Sequence, residues 1–353
     1  MGDGASQPTV RVSAVLPVRD PGPGLAATLD ALRATLSLAD ELVVVDDGST
    51  DGTADLLRAT DWQGLRTTVV SPTVHRGVAG ARNLGLSQAR GEMIWFVDWD
   101  DRWDTGIVET LYAARVASGA PVVGCGADLV DPRGKRRELL GVVRRPILLT
   151  GGHIGLAILD GRIRGYLWNK LFAREVLGTA PFPEQRTRSD FAGSVEVMAR
   201  QATTYLLPDV LFHHVQRPGS LTTGQHPPLA TLQESLRIGE RVAELARVHP
   251  VGPVQDVVVD AALRRFRYRE WHLAVAGTAM RAGFDPRTRQ AYLRAALDGT
   301  RWRDPARILW RDPVLAARAA VLVGSGDRYP AVYRSYLTLR SVLGRLSRGG
   351  GTP

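Results

Sequence analysis

Met93-Ile94-Trp95-Phe96-Val97-Asp98-Trp99-Asp100-Asp101 is the stretch on which the reading of this 353-residue chain turns. Its first five residues are apolar without a break, the pattern of a strand buried on both faces in a parallel sheet. Three carboxylates then fall within four positions. An apolar core expels unpaired carboxylates because desolvating a charge is costly. They therefore mark the point where the strand leaves the core, at its carboxyl end. In open α/β sheets that edge is where ligands bind. Carboxylate oxygens suit a hard divalent cation, and such a cation suits a diphosphate. The plainer reading is a solvated loop in which Asp101 or Asp104 caps the next helix.

The flanks favour the first reading. Upstream, the patterns predict a strand at Val10–Pro17, a helix at Leu25–Leu38 and a strand at Glu41–Val45. A strand at Arg66–Val70, a helix at Gly77–Ala89 and a strand at Glu92–Val97 follow. Alternating strand and helix predicts a doubly wound, mainly parallel sheet. The second strand also ends in carboxylates, Asp46-Asp47, inside a turn-rich loop where Ser49, Thr50 and Asp51 are available to cap a helix. Two acidic loops thus emerge on one sheet edge. No Gly-x-x-x-x-Gly-Lys or Gly-x-Gly-x-x-Gly loop follows the first strand, so no glycine cradle for phosphate is expected.

Downstream, a helix is expected at Asp104–Ser118, then strands at Val122–Val130 and Glu138–Val143 around the turn Asp131-Pro132-Arg133-Gly134. A helix at Leu148–Leu159, a helix at Ser189–Gln201 and short strands at Thr203–Leu207 and Val210–Val215 follow. Strand signals then fade and helical segments succeed one another, with Pro227-Pro228 as the boundary. The expected organisation is a disordered N-terminus (1–9), an α/β domain (10–225), a basic helical C-terminal domain (226–348) and a disordered tail (349–353).

Net charge is +9, unevenly placed: residues 261–353 hold 18 Arg against 6 acidic residues, a balance of +12 that leaves −3 for the remainder. Cys125 is the only cysteine, which excludes an internal disulfide framework and a zinc cluster. It lies in an apolar run and reads as a buried inert thiol. Met1–Gln7 is polar and short, unlike a signal peptide. No apolar run reaches the ~18 residues that span a bilayer. A cytoplasmic protein is expected, with peripheral contact at the membrane's inner face open to it.

Further motifs recur in order. They are Val15-Leu16-Pro17-Val18, Val44-Val45-Asp46-Asp47-Gly48-Ser49, Gly77 with Ala81-Arg82-Asn83-Leu84-Gly85, and Gly91-Glu92 before the acidic cluster. Then come Trp168-Asn169-Lys170-Leu171-Phe172, Phe182-Pro183-Glu184, Asp190-Phe191 and Arg217-Pro218-Gly219-Ser220. Over residues 10–225 this series resembles the inverting family 2 glycosyltransferases of the GT-A fold, of the bacterial cell-envelope and exopolysaccharide type. The resemblance implies a Rossmann-like nucleotide-sugar domain followed by the helical region. Pro17 and Val18 would line the base pocket, with Arg19 beside them. Asp47 would accept from the base, next to Asp46, and Arg82 would sit near the nucleotide. Asp98 would face the ribose, Trp99 stands between the acids, and Asp100 with Asp98 would hold Mn²⁺ or Mg²⁺. Asp190 would be the general base. Three departures are visible: Arg19 stands where the family often has an aromatic, Trp99 where a small residue is common, and Ser189 where an acid precedes the base.

The implied reaction is metal-dependent inverting transfer of a hexose or N-acetylhexosamine from a nucleotide-sugar, with UDP-sugar the expected donor. Acceptors would be a saccharide, an anionic teichoic-acid-like polymer or a lipid-linked diphosphate. A sugar nucleotidyltransferase on a related fold and a non-catalytic glycosyltransferase-like protein remain as alternatives. Nucleic-acid binding has only the basic tail in its favour, without the interleaved aromatics of a recognised module. That tail reads either as a solvated outer face or as a surface for anionic acceptor, membrane or a second subunit. His213 and His214 read as satisfied structural histidines ahead of metal ligands, with an approach of one of them to the diphosphate left open, and Phe172 reads as core.

Overall fold

The computed structural model describes residues 10–183, 189–216 and 228–335. The strands are β1 (Val12–Val18), β2 (Glu41–Asp46), β3 (Arg66–Val70), β4 (Met93–Phe96), β5 (Arg102–Trp103), β6 (Val122–Val130), β7 (Arg136–Leu140), β8 (Ile147–Thr150), β9 (Lys170–Ala173) and β10 (Thr203–Val215). They form one mixed sheet whose main path runs β3-β2-β1-β4-β9-β6-β10-β5. The first four are mutually parallel, as alternation with helices requires, and β6 pairs parallel with β10. Strand β9 lies antiparallel between β4 and β6. Every residue of β1, β2 and β4 is buried, which explains their unbroken apolar runs.

Helices α1 (Gly24–Thr35), α2 (Thr53–Ala59) and α3 (Gly77–Gln88) make the crossovers. Leu25, Leu29 and Leu32 turn the inner stripe of α1 into the core cluster containing Val12, Leu16, Val44 and Trp95. On α3, Gly85 gives the close approach to the sheet: an added Cβ would fall inside the van der Waals shell of Val15 Cγ1 and 3.2 Å from Val45 Cγ2. The first unit comprises 1–224 and 241–255, and the second 225–240 and 256–353. The second has its own core, which includes Tyr268, Val275, Ala276, Ile308, Ala319 and Leu322.

Several expected elements differ. The two short strands after residue 203 are one strand, β10, whose register slips between Leu206 and Val210, around Pro208. Proline carries no N–H for the ladder, so the strand accommodates it as an irregularity instead of ending. The helix expected from Leu148 starts at Gly152, because Ile147–Thr150 pairs with β10. Lys170–Ala173 is a strand in a stretch where the sequence carries no alternation. Neither Asp101 nor Asp104 caps α4 (Ile107–Ser118) with its side chain; Gly106 is the N-cap. Glu184, Arg217–Ser220 and both termini lie outside the described residues. Cys125 is buried, its Sγ 3.6 Å from Asn169 O.

The Gly85 contact is testable. Helix propensity favours alanine over glycine by roughly 0.5–1 kcal/mol, whereas overpacking a rigid core costs about 1–3 kcal/mol. Gly85→Ala should therefore lose about 1 kcal/mol or more in urea unfolding; an equally stable variant would show that α3 can move off β1.

Candidate active site

The site is built where β1, β2 and β4 end. Val18 lies in register with Asp46, and Asp47 N–H donates to Val18 O at 2.9 Å. Pro17 and Val18 are buried at this edge. Asp46 accepts from Ser49 N–H at 3.0 Å, which shapes the turn. Asp47, also buried, accepts Arg76 N–H at 2.8 Å through Oδ1, and its Oδ2 lies 2.7 Å from His75 Nδ1. His75 Nε2 meets Arg19 Nη1. Arginine only donates, so Nε2 is the acceptor and Nδ1–H donates to Asp47. Arg19 thereby reaches Asp47 through His75, a link invisible in the sequence because 56 residues separate the two side chains.

The loop after β1 is laced to the loop after β2. Asp20 N–H donates to Ser49 Oγ at 2.9 Å, Thr50 N–H to Asp20 Oδ1 at 2.7 Å, and Gly22 N–H to Asp51 Oδ2 at 2.7 Å. The Asp20 and Gly22 amides are thus occupied by side chains of the protein itself, and Pro21 and Pro23 carry no N–H, which makes Pro21-Gly22-Pro23-Gly24 a poor phosphate cradle. Trp99 packs over Gly24, where an added Cβ would sit 3.0 Å from its ring, and its carbonyl accepts from Thr28.

Arg82, buried on α3, donates to Asp98 Oδ1 at 2.8 Å. Burial pushes the guanidinium pKa down, but Asp98 and then Asp190 more than offset it and hold the group above its ordinary value. The acidic edge, Arg82 and Asp190 therefore belong to one electrostatic site. Asp190 lies in the first turn of the helix Ser189–Ala199. Four residue pairs locate that turn. Asn83 Nδ2 donates to Phe182 O at 2.8 Å and Phe182 N–H returns to Asn83 Oδ1 at 3.2 Å. Gly193 lies against Phe182, where a Cβ would come within 2.5 Å of the ring. Gly165 lies equally close to Phe191, and Ser194 Oγ donates to Gly165 O at 2.9 Å.

Lys170 fixes that Gly165 loop from below. Its buried Nζ donates to Arg164 O, Tyr166 O and Asn169 Oδ1 at 3.0, 2.7 and 2.8 Å. Burial pushes its pKa down to about 7, against the negative charge of Asp190. The Trp-Asn-Lys motif is thus a support beneath Asp190.

Asp101 carries the largest surprise. It is buried, and its Oδ1 accepts from His214 Nδ1 and Val215 N–H, both at 2.9 Å. Burial pushes its pKa up to about 6, and Asp98 and Asp100 add to the rise while His214 opposes it. Burial lowers His214, but Asp101, Asp98 and Asp100 outweigh it and leave the imidazole above its ordinary value. His214 is therefore part of the acidic site, where the sequence suggested a structural histidine. His213 is structural, at 2.7 Å from Asp128, and buried Phe172 is core. Trp168 stacks between Tyr166 and His214, with ring centroids 4.5 and 5.7 Å away.

Among the described residues, no three His, Cys, Asp or Glu side chains converge into a metal cage. The donor set still suits a divalent cation. Asp98 and Asp100 are hard oxygen donors close enough to perturb Asp101, whose buried Oδ2 has no hydrogen-bond partner. Mg²⁺-type sites commonly take one or two carboxylates and complete their shell with substrate phosphates and water.

A parallel strand edge bearing carboxylates, backed by a buried arginine and faced by a helix-borne aspartate, is the arrangement of a GT-A domain. Residues 13–163 match the family model Glycosyl transferase family 2. Glycosyltransferase GlyG of Streptococcus pneumoniae is 34% identical over 112 residues, 32% of this chain and 37% of that protein. The putative teichuronic acid biosynthesis glycosyltransferase TuaG of Bacillus subtilis is 29% identical over 171 residues, 48% of this chain and 65% of that one. The chain thus spans between about a third and two thirds of the length of these curated relatives. S. aureus TarS 1–349, crystallised with UDP-GlcNAc, superposes with a TM-score of 0.66 at 18% identity, covering 93% of this chain and 92% of that one. That likeness is one of fold.

The ion pair makes a prediction. Breaking a fully buried pair costs about 3–5 kcal/mol; Asp98 is 30% exposed, so Arg82→Met should cost less, about 2–3 kcal/mol. Adding Asp98→Asn should restore most of it, because the stranded charge is gone. A double variant as unstable as the single one would locate the loss in packing.

Proposed function

We propose that the chain is a metal-dependent, inverting glycosyltransferase. It moves a sugar from a nucleotide-sugar, a UDP-sugar by preference, to a hydroxyl of a cell-envelope polysaccharide, teichoic-acid-like polymer or lipid-linked acceptor. The observation that carries this reading is the electrostatic chain Asp98–Arg82–Asp190, which joins the donor edge of the sheet to a candidate base. The names of TuaG and TarS's bound UDP-GlcNAc support the choice of donor and of acceptor class. Residues 10–225 would be the catalytic domain, 226–348 an accessory one, and the cytoplasm the working location.

Pro17 and Val18 line the base pocket, and a base N–H takes the place of His75 at Asp47 Oδ2. Arg19, freed from His75, lies along the nucleotide. Asp46 shapes the turn, and Trp99 closes the loop side over Gly24. Asp98 faces the ribose while it holds Arg82. Asp100, with Asp98, would hold Mn²⁺ or Mg²⁺, which supplies positive charge to the leaving diphosphate. An acceptor hydroxyl is a poor nucleophile at neutral pH, and Asp190 takes its proton as attack develops. Attack opposite the leaving group inverts the anomeric carbon. With Ser189 in place of a second acid, one carboxylate performs that task. A nucleotidyltransferase reading finds little support in the loop after β1, whose Asp20 and Gly22 amides are taken.

Two measurements test the mechanism. Asp190→Asn should keep UDP binding and lose transfer by about two orders of magnitude or more; near-normal turnover would move the base elsewhere, with Glu196 next. Transfer should stop in protein stripped with EDTA and return on adding Mn²⁺ or Mg²⁺. Full turnover in excess chelator would remove the metal from the mechanism.

A further inference from the structure

In the C-terminal unit the helix Asp256–Arg267 continues into Leu273–Arg281 through a π-helical turn, Tyr268–His272. Such turns recur at functional sites because they displace side chains from the regular helical ladder. Here Tyr268 and His272 both line a cavity of about 310 Å³, with ring centroids 4.7 Å apart. Tyr268 Oη donates to Asp304 Oδ2 at 3.1 Å, and His272 Nδ1–H donates to Ala296 O at 2.8 Å. Arg264, Arg267, Arg301 and Arg307 also line it, four cations against the two carboxylates of Asp260 and Asp304. Arg264 and Arg267 have carboxylate partners in Asp304 and Glu240. Arg301 and Arg307 are exposed and have no carboxylate partner among the described residues. A cavity with unneutralised arginines fits an anion with several oxygens, above all a phosphate.

The segment that supplies Arg301 and Arg307 also exposes large apolar side chains. Trp310 is 92% exposed, Trp302 75% and Leu309 56%. Asp304 and Ile308 turn the short helix Asp304–Leu309 inward, so Leu309 and Trp310 face out. Residues 301–311 hold four arginines against one aspartate, and Arg303 lies over the Trp302 ring at 4.7 Å. A soluble phosphate would explain the arginines but leave two indoles in water. A bilayer surface explains both, since tryptophan settles at the headgroup level and arginine is drawn to anionic lipid.

We propose that residues 301–311 dock the C-terminal unit on an anionic phospholipid surface, with Trp302 and Trp310 entering the headgroup region and the arginine-lined cavity taking a lipid phosphate. Attachment is interfacial: among the described residues no helix is long and apolar enough to cross a membrane. The inference is independent of the donor chemistry proposed above.

The test is co-sedimentation of the full chain with vesicles of phosphatidylcholine alone or mixed with phosphatidylglycerol. Binding should require phosphatidylglycerol and weaken with salt. Arg301→Ala/Arg307→Ala should weaken it about 30-fold, from roughly 1 kcal/mol for each arginine at about tenfold per 1.4 kcal/mol. Trp302→Ala/Trp310→Ala should weaken it at least tenfold. Circular dichroism and UDP binding should stay unchanged in both variants, which separates this proposal from the catalytic one. Absence of phosphatidylglycerol-dependent binding overturns it, as does wild-type binding by either variant. Retention of soluble glycerol phosphate without any vesicle binding would assign the cavity to a soluble phosphate and overturn the membrane claim. A dimer that the tryptophan changes dissociate would assign the face to a second copy of the chain, with the same consequence.

Discussion

A buried guanidinium at the end of a buried strand is the constraint on which this site depends. β4 carries its apolar run to the edge of the core and there releases three aspartates whose mutual repulsion, at reduced dielectric, would splay the loop. Arg82 supplies the opposing charge from α3, itself seated on β1 through Gly85. The arginine also senses Asp190. One side chain therefore couples the parallel half of the sheet to the helix bearing the candidate base. Removing a charge from this set alters the protonation of the others, as the raised Asp101 illustrates.

Asp190 depends on a second set of contacts, mostly steric. Its helix touches the rest of the first unit at two glycines, Gly165 and Gly193, where a methyl group would meet an aromatic ring. The loop bearing Gly165 is held by three hydrogen bonds from one buried lysine. A catalytic carboxylate gains from such supports, since small displacements of a reacting group carry large costs in rate. Trp168 and Lys170 belong to one short motif and serve one end: the indole stacks on Tyr166 while the ammonium binds the Tyr166 carbonyl.

The basic C-terminal region follows a different logic. Its arginines outnumber its acids threefold, yet several close ion pairs of their own, such as Arg267 with Glu240. Arg301 and Arg307, without a carboxylate partner among the described residues, lie in the 301–311 segment beside two tryptophans that no core absorbs. Burial of Ile308 sets the phase of the short helix and thereby exposes the neighbouring side chains.

The order of strands and helices, the acidic sheet edge and the motif series were all legible in the chain, because each rests on local rules: apolar periodicity, the cost of burying charge, and spacing along a strand or helix. Asp98 and Asp100 could be singled out on that basis, whereas Arg82 and Asp190 stood out only through the resemblance to family 2 glycosyltransferases. Their joining through Arg82 could not be read at all, since 16 residues separate Arg82 from Asp98 and 108 separate it from Asp190. The same holds for His214, whose partner Asp101 lies 113 positions earlier; alone at a strand end it reads as structural. Strand β9 shows the limit from the other side. Buried on both faces between β4 and β6, it has no alternation to betray it, and only its neighbours across the sheet make it a strand. Local composition determined which elements form and which residues carry charge. The tertiary fold decided which of those charges meet, because meeting depends on sheet order and on the clearance a few glycines leave.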